Sequence, residues 1–365
     1  MRKYKNPPSF DSVKEKFPDF KFSLSSDSLE FITDKFIRSL KRRIVQESIY
    51  DLAHLIDDDQ IDEIDSNFLE KAKEVSHRIP TSARIAKFSD MPTRIEEYKK
   101  RKEEGTNVGL PLGIPQFDDL TLGIQPHEYV SIVGWSGRGK STLLQWIFFN
   151  AYLSGANPLL ISLEMDAESL YRKWDTMAIN FQHHTLKAGK LSKKDLRKWE
   201  EYAERASNAK NDIIVIDDIG DCTAERVFSE CMKYSPDLVG VDYISLMRTP
   251  KSYGAMWEKV TYLTQQLKQI PRILRVPLFG VAQTNILSAN EGAKLENIAY
   301  ARSIGQDSDL VLGLEQTEEM QEQNQMEIRM LKNRDGKKTT TKLHWDMERM
   351  IFKEWTPNDM FPSKG

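Results

Sequence analysis

The sequence predicts an α/β chain with a mostly parallel central sheet, preceded by a small helical region. Short β-rich runs recur at Tyr129–Val133, Pro158–Leu163, Ile213–Ile216, Leu238–Val241, Leu278–Ala282 and Leu310–Leu314. Longer helical candidates separate several of them, including Lys140–Leu153 and Trp257–Ile270. Strands spaced by helices in this way favour parallel pairing with helices covering the sheet. Late alternation at Glu327–Leu331 and Thr339–His344 adds antiparallel strands or a hairpin at its edge.

In chain order, residues 1–28 read as an extended or flexible arm, interrupted by Pro7, Pro8 and Pro18. Residues 29–108 form the helical region and a linker. From Leu29 to Ile56, the apolar residues Phe31, Ile32, Phe36, Leu40, Ile44, Ile49, Leu52 and Ile56 recur mostly at three- and four-residue steps. That pattern gives an amphipathic helix one apolar side, suited to packing in this chain or on another subunit. A second helix is expected near Ile61–Val75, and the charged run ending in YKKRKEEG reads as an exposed helix or linker. The main domain is expected over 109–355, with a tail at 356–365.

The chain is long enough, at 365 residues, to build a core without a metal or disulfide. Cys222 and Cys231 lack a zinc spacing and fit a reduced compartment. The basic N-terminus is not followed by an apolar signal stretch, and no segment reads as a membrane span, so a cytoplasmic protein is expected. With 52 basic and 55 acidic side chains, the formal charge of −3 supplies no argument for nucleic-acid binding. A basic channel inside an acidic ring is compatible with it.

The run GWSGRGKS, Gly134–Ser141, has the complete G-x-x-x-x-G-K-[ST] spacing between an apolar strand, YVSIV, and a helical run, LLQWIFFNAYL. Gly134 and Gly139 permit a tight backbone path whose amides point at phosphate oxygens. Lys140 can neutralise β- and γ-phosphate charge, and Ser141 can ligate Mg²⁺. Gly134, Trp135, Ser136, Gly137, Arg138, Gly139, Lys140, Ser141 and Thr142 are the candidate nucleotide-binding residues, with ATP and Mg²⁺ the expected cofactors.

Two strand-end acids complete a hydrolytic reading. Asp242 in LVGVDYISL can hold Mg²⁺, and Glu164 in LLISLEM can orient and deprotonate the attacking water. Asp217 and Asp218 in IIVIDDIGD are a competing acidic pair that the residues themselves do not exclude.

The order of these motifs resembles the DnaB-like family of bacterial and phage replicative ring helicases. Gly109–Gly134, GLPLGIPQFDDLTLGIQPHEYVSIVG, looks like that family's entry into its RecA-like P-loop motor domain. SLEM at Ser162–Met165 and GVDYISLM at Gly240–Met247 resemble its acidic segment and Walker B element. AQTN at Ala282–Asn285 resembles the motif whose Gln283 couples phosphate state to DNA-facing loops. The match continues through RSIGQDSDLVLGL, Arg302–Leu314, and MLKNRDGKKTTTKLHW, Met330–Trp345. Lys332 and Arg334 match the family's basic pair, with Arg334 the preferred arginine finger toward a neighbouring subunit's nucleotide. Asp242 is favoured over Asp217 and Asp218 on the same ground.

The resemblance implies an ATP-dependent DNA helicase that forms a homo-oligomer, a hexameric ring, and translocates on single-stranded DNA to open forked duplexes. A loader and a primase are the implied partners. Lys251, Lys294 and Arg302, in the segments Arg248–Met256 and Ile286–Ser303, are candidate DNA contacts. The segment at 29–75 more weakly resembles the family's linker helices. His127 stands where a turn glycine is expected, Gly305 changes the acidic character near the QD segment, and the family's full N-terminal helical domain is not recognised here, a pattern that leaves open a phage-type member acting in host cytoplasm, a loader-dependent form or a motor with altered unwinding activity. A recombinase-like filament-forming ATPase and a nucleotide-gated helicase partner without unwinding activity are the alternatives.

Overall fold

The computed structural model describes residues 87–104, 109–283 and 301–354. The expected arm at 1–28, the helices expected at 29–75, Lys294 and the tail at 356–365 lie outside the described residues. The chain divides into two units, Met1–Ile95 and Glu96–Gly365. Helix α1, Met91–Glu104, carries the charged run YKKRKEE as far as it is described and is exposed along its described length. The remaining elements belong to the second unit.

Among the described residues, nine strands form one sheet: β1 Tyr129–Gly134, β2 Pro158–Ser162, β3 Ile214–Ile216, β4 Leu238–Asp242, β5 Leu278–Gln283, β6 Leu310–Glu315, β7 Gln325–Asn333, β8 Thr340–Asp346 and β9 Ile351–Glu354. Their order is β3-β2-β4-β5-β1-β6-β7-β8-β9. The first six in that order pair in parallel, and β6 to β9 continue as an antiparallel meander. The mixed sheet is therefore as expected, with one strand more than the two late alternating runs. Strand β9 is only four residues long; the ring centre of Phe352 within it lies 4.0 Å from that of Trp345 in β8, a contact that alternation cannot reveal.

Helices α2 Pro115–Thr121, α3 Lys140–Leu153, α4 Ala167–Ile179, α5 His183–Lys187, α6 Lys193–Ser207 and α7 Ala224–Tyr234 precede β4 in the chain. After β4 come α8 Met256–Leu267, α9 Gln269–Leu274, α10 Ala301–Asp307 and α11 Glu318–Glu322. The single helix expected over Trp257–Ile270 is thus two. Pro271 has no N–H to give to the carbonyl four residues back, so the α8 ladder ends and Pro271 falls in the first turn of α9, where no N–H is needed.

Alternate strand residues face opposite sides of the sheet, as the pleat requires. Val130, Ile132, Leu160 and Leu238 pack on one side with Leu143, Leu144, Ile147 and Phe148 of α3. Tyr129, Leu159, Ile161, Val239 and Val241 pack on the other with Val227, Leu263 and Leu267. Helix α3 has apolar residues around its circumference and is correspondingly buried. Gly240 makes its close approach possible: a Cβ there would stand 2.6 Å from Phe148 Cζ. Each fully buried large apolar side chain contributes about 1.5–3 kcal/mol. Among the described residues, no helix is long and apolar enough to cross a membrane.

Candidate active site

Strands β1, β2, β4 and β5 all run in the same direction, so the loops after them open on one edge of the sheet. Residues distant in sequence meet there. β1 delivers Gly134; the loop then turns through Gly137 and Gly139, with φ of 73° and 75°, into the first turn of α3. Gly139 is needed twice over. Its backbone is left-handed, and a Cβ would stand 2.8 Å from Trp345 Cζ2. No sequence signal marks Trp345 as part of the site. Alternation along β8 places it on the buried face, but nothing in the pattern says that this face reaches the loop.

Lys140 is almost fully buried at the start of α3, and its Nζ donates to the Trp135 carbonyl at 2.7 Å. Burial lowers its pKa, opposed by the charges of Asp242 and Glu164. The ammonium thus sits in the loop with two acids nearby and a neutral acceptor as its partner. A phosphate group offers it what burial has removed.

Asp242 ends β4 and is 2% exposed. Its pKa is pushed up to about 6 by burial, against the hydrogen bond from Ser141, with Glu164 raising it further and Lys140 and Lys173 opposing. Oδ1 of Asp242 is buried without a hydrogen-bond partner. A buried, unsatisfied carboxylate oxygen beside a serine hydroxyl fits a hard divalent cation. Mg²⁺ needs only one or two such protein oxygens, the rest of its shell being phosphate and water. Among the described residues, no group of three or more His, Cys, Asp or Glu could hold a metal by protein side chains alone.

Glu164 is exposed in the turn after β2. Ser162 fixes that turn, its hydroxyl donating to the Met165 carbonyl at 2.6 Å while accepting the Met165 N–H at 3.1 Å. Leu163 N–H then donates to the Asp242 carbonyl at 2.7 Å, tying the two acidic strand ends together. The competing Asp217 follows edge strand β3 and accepts the Ala167 N–H at 2.6 Å, capping the start of α4; Asp218 is exposed beside it. Gln283 ends β5 opposite Gly134, the first residue of the phosphate loop.

Lys173, which no sequence motif marks, points back from α4 to within 3.5 Å of Met165 Sδ. Its pKa is lowered by burial, against the charges of Asp242 and Glu164. Only the fold brings this lysine to the site.

The basic pair lies elsewhere. Lys332 Nζ donates to the carbonyls of Gly305 and Gln306 at 2.7 and 3.2 Å, at the C-terminal end of α10, where a cation suits the exposed carbonyls. Arg334 follows β7 and pairs with Asp309 at 3.0 Å while remaining 66% exposed. Both stand at the end of the sheet opposite the phosphate loop, because β7 runs antiparallel to β6 and Leu310 pairs with Asn333. Of the candidate DNA contacts, Lys251 is exposed with its ammonium 5.2 Å from the centre of the Tyr253 ring. Arg302 lies in α10, its side chain outside the described residues. His127 is exposed and is not among the positive-φ residues, so its turn does not require the glycine.

The chain is similar to several known proteins. Replicative DNA helicase DnaB of Leifsonia xyli subsp. xyli is 24% identical over 262 residues, 68% of this chain and 57% of the relative. The protein of the same name from Pasteurella multocida is 27% identical over 259 residues, 67% of this chain and 55% of the relative. The chain therefore spans somewhat more than half the length of these curated relatives. Among solved structures, an isolated ATPase domain has a TM-score of 0.67 at 20% identity, covering 74% of this chain and 100% of that one. A DnaB-like replicative helicase studied with primase has a TM-score of 0.72 at 19% identity, covering 90% of this chain and 78% of the other. These structures share the central α/β fold. The model of the DnaB-like helicase C terminal domain matches residues 109–354, the stretch that supplies the phosphate loop, both strand-end acids and the basic pair, and the chain belongs to that family.

Proposed function

We propose that the protein is an ATP-dependent replicative DNA helicase whose catalytic sites are shared between adjacent subunits of a hexameric ring. The observation that carries this reading is the division of the site. Lys140, Ser141, Asp242 and Glu164 occupy one edge of the sheet, while Arg334 occupies the other. A head-to-tail ring brings these two edges together at every interface. The relatives' name, replicative DNA helicase, supports the same reading.

The phosphate-loop amides and Lys140 hold the ATP phosphates, while Ser141 and Asp242 hold Mg²⁺. The ion supplies charge neutralisation on the phosphate oxygens. Glu164 takes the proton of the attacking water, and Arg334 of the adjacent subunit stabilises charge developing in the transition state. Lys332 holds the Arg334 strand against α10 and supports its electrostatic role. Gln283, beside Gly134, is positioned to pass the phosphate state to the segment after β5. Lys251, Lys294 and Arg302 contact the backbone of single-stranded DNA, giving salt-sensitive, sequence-tolerant binding.

Residues 109–355 constitute the motor, 29–108 the subunit-linking region, and 1–28 and 356–365 the flanking arm and tail. A loader and primase are the expected protein partners, the latter because one structural neighbour was studied with primase. The direct test is unwinding of a forked duplex by the purified oligomer with ATP and Mg²⁺. Directional strand separation, lost in Glu164→Gln, supports the reading. ATP-dependent filaments with strand exchange point instead to a recombinase-like ATPase, and absence of turnover in an assembled oligomer rejects the enzymatic reading.

A further inference from the structure

Asp309 stands between α10 and β6 and is nearly inaccessible, its side chain 6% exposed. Its backbone is fixed to the first strand residue, Asp309 N–H donating to the Tyr129 carbonyl at 2.8 Å. Oδ2 accepts the Tyr129 N–H at 2.9 Å and also the ammonium of Lys268, the residue linking α8 to α9. Oδ1 is left for Arg334, whose Nη1 donates at 3.0 Å. The Arg334 backbone N–H donates to the Asp309 carbonyl, also at 3.0 Å. One buried residue therefore registers both ends of Arg334.

The charges make this more than a fold contact. Lys268, only 13% exposed, supplies a second cation on the inner side, which holds the carboxylate through Oδ2 and leaves Oδ1 to Arg334. Burial raises the Asp309 pKa, but the Lys268, Tyr129 and Arg334 hydrogen bonds outweigh it and hold the carboxyl below its usual range. The guanidinium has five N–H donors in a planar fork. Contact through one nitrogen leaves donors for an incoming oxyanion.

We propose that Asp309 is the positioning residue of Arg334, fixing the guanidinium at the subunit edge toward the neighbour's ATP, and that Lys268 anchors the Asp309 carboxylate from the inner side. This rests on the reading of Arg334 as the residue that completes the adjacent site. It assigns a role to the second acidic residue of QDSD and to Lys268, both of which stand with Arg334 at the sheet end away from their own subunit's phosphate loop.

The test uses the full-length oligomer and steady-state ATP hydrolysis, with assembly checked by mass and folding by thermal melting. Asp309→Asn is expected to lower kcat about 10- to 100-fold, the scale on which a supporting residue affects the group it orients, with KM for ATP changed less than about twofold. Combined with Arg334→Ala, it should lower kcat no further than Arg334→Ala alone. Full additivity, or an unchanged kcat in assembled Asp309→Asn, overturns the proposal. If Asp309→Asn does not fold, Lys268→Met carries the same comparison: reduced kcat, with no additional loss on top of Arg334→Ala, supports the positioning role, and unchanged turnover overturns it. Should Arg334→Ala retain full turnover, the interface reading itself has failed, an outcome distinct from an inert Asp309→Asn beside a dead Arg334→Ala.

Discussion

Lys140 and Arg334 stand at opposite ends of one sheet. Lys140 follows Gly134 at the end of β1, whereas Arg334 follows Asn333, whose partner Leu310 pairs beside Val130 near the start of that strand. The offset is about 13 Å along the strands and about 10 Å across two of them. Arg334 cannot reach its own subunit's phosphate loop across that diagonal without unravelling β7. Replacement by alanine should therefore spare nucleotide binding while reducing turnover by about 10³-fold or more, the scale of arginine fingers. Binding of a fluorescent ATP analogue, followed beside hydrolysis, checks both halves.

Glu164 is exposed at the loop edge, and the turn that carries it is fixed by Ser162 and Met165, so Glu164→Gln should leave the melting temperature unchanged. Loss of the base should lower kcat by about two to four orders of magnitude, with the analogue's affinity staying within about twofold. A comparable loss of affinity would move Glu164 from proton transfer to nucleotide binding.

Gly139 admits no side chain: its φ is 75° and Trp345 lies 2.8 Å from where a Cβ would be. Gly139→Ala is expected to destabilise the fold by about 1–3 kcal/mol and to weaken nucleotide binding about tenfold or more. Trp345→Leu should not rescue it, because the backbone strain persists after the clash is removed. Melting curves and analogue titrations of the single and double variants decide this.

Cys222 and Cys231 are buried, and burial pushes each thiol up to about 12, with Arg226 opposing at Cys222. Both pKa values are raised above the ordinary value of 9.0, so the stability they contribute is fully present below that pH and lost as pH rises toward 12. Native protein at about pH 8, below the ordinary thiol pKa, should resist a thiol reagent at both positions, and both should react in denaturant. Rapid native labelling at either cysteine would contradict the buried placement.

Much of this arrangement is legible in the sequence, and the rest is hidden for physical reasons. The phosphate loop is local: its glycines, lysine and serine must be consecutive, so spacing exposes them. Strand runs such as LVGVD are equally local, and their carboxyl ends mark Asp242 and Glu164. The neighbours of these groups are set by strand order instead. Nothing in the chain tells that β4 lies between β2 and β5, which brings Asp242 to Ser141 and leaves Asp217 capping α4. Asp309 meets Arg334 and Lys268 from 25 and 41 residues away, and Trp345 reaches Gly139 from a distant strand. Such contacts carry no periodicity of their own. The helix break at Pro271 is readable, since proline removes a specific hydrogen bond, but the apolar period running through it masks the signal.

The sharing of each catalytic site between subunits is tested most directly by mixing two inactive variants. Lys140→Ala lacks the phosphate lysine but keeps Arg334, and Arg334→Ala has the converse defect. Subunits exchanged at equal ratio into common rings should regain ATP hydrolysis, because roughly a quarter of randomly formed head-to-tail interfaces combine an intact loop with an intact arginine. Rings verified to contain both variants yet as inactive as either parent would contradict the account.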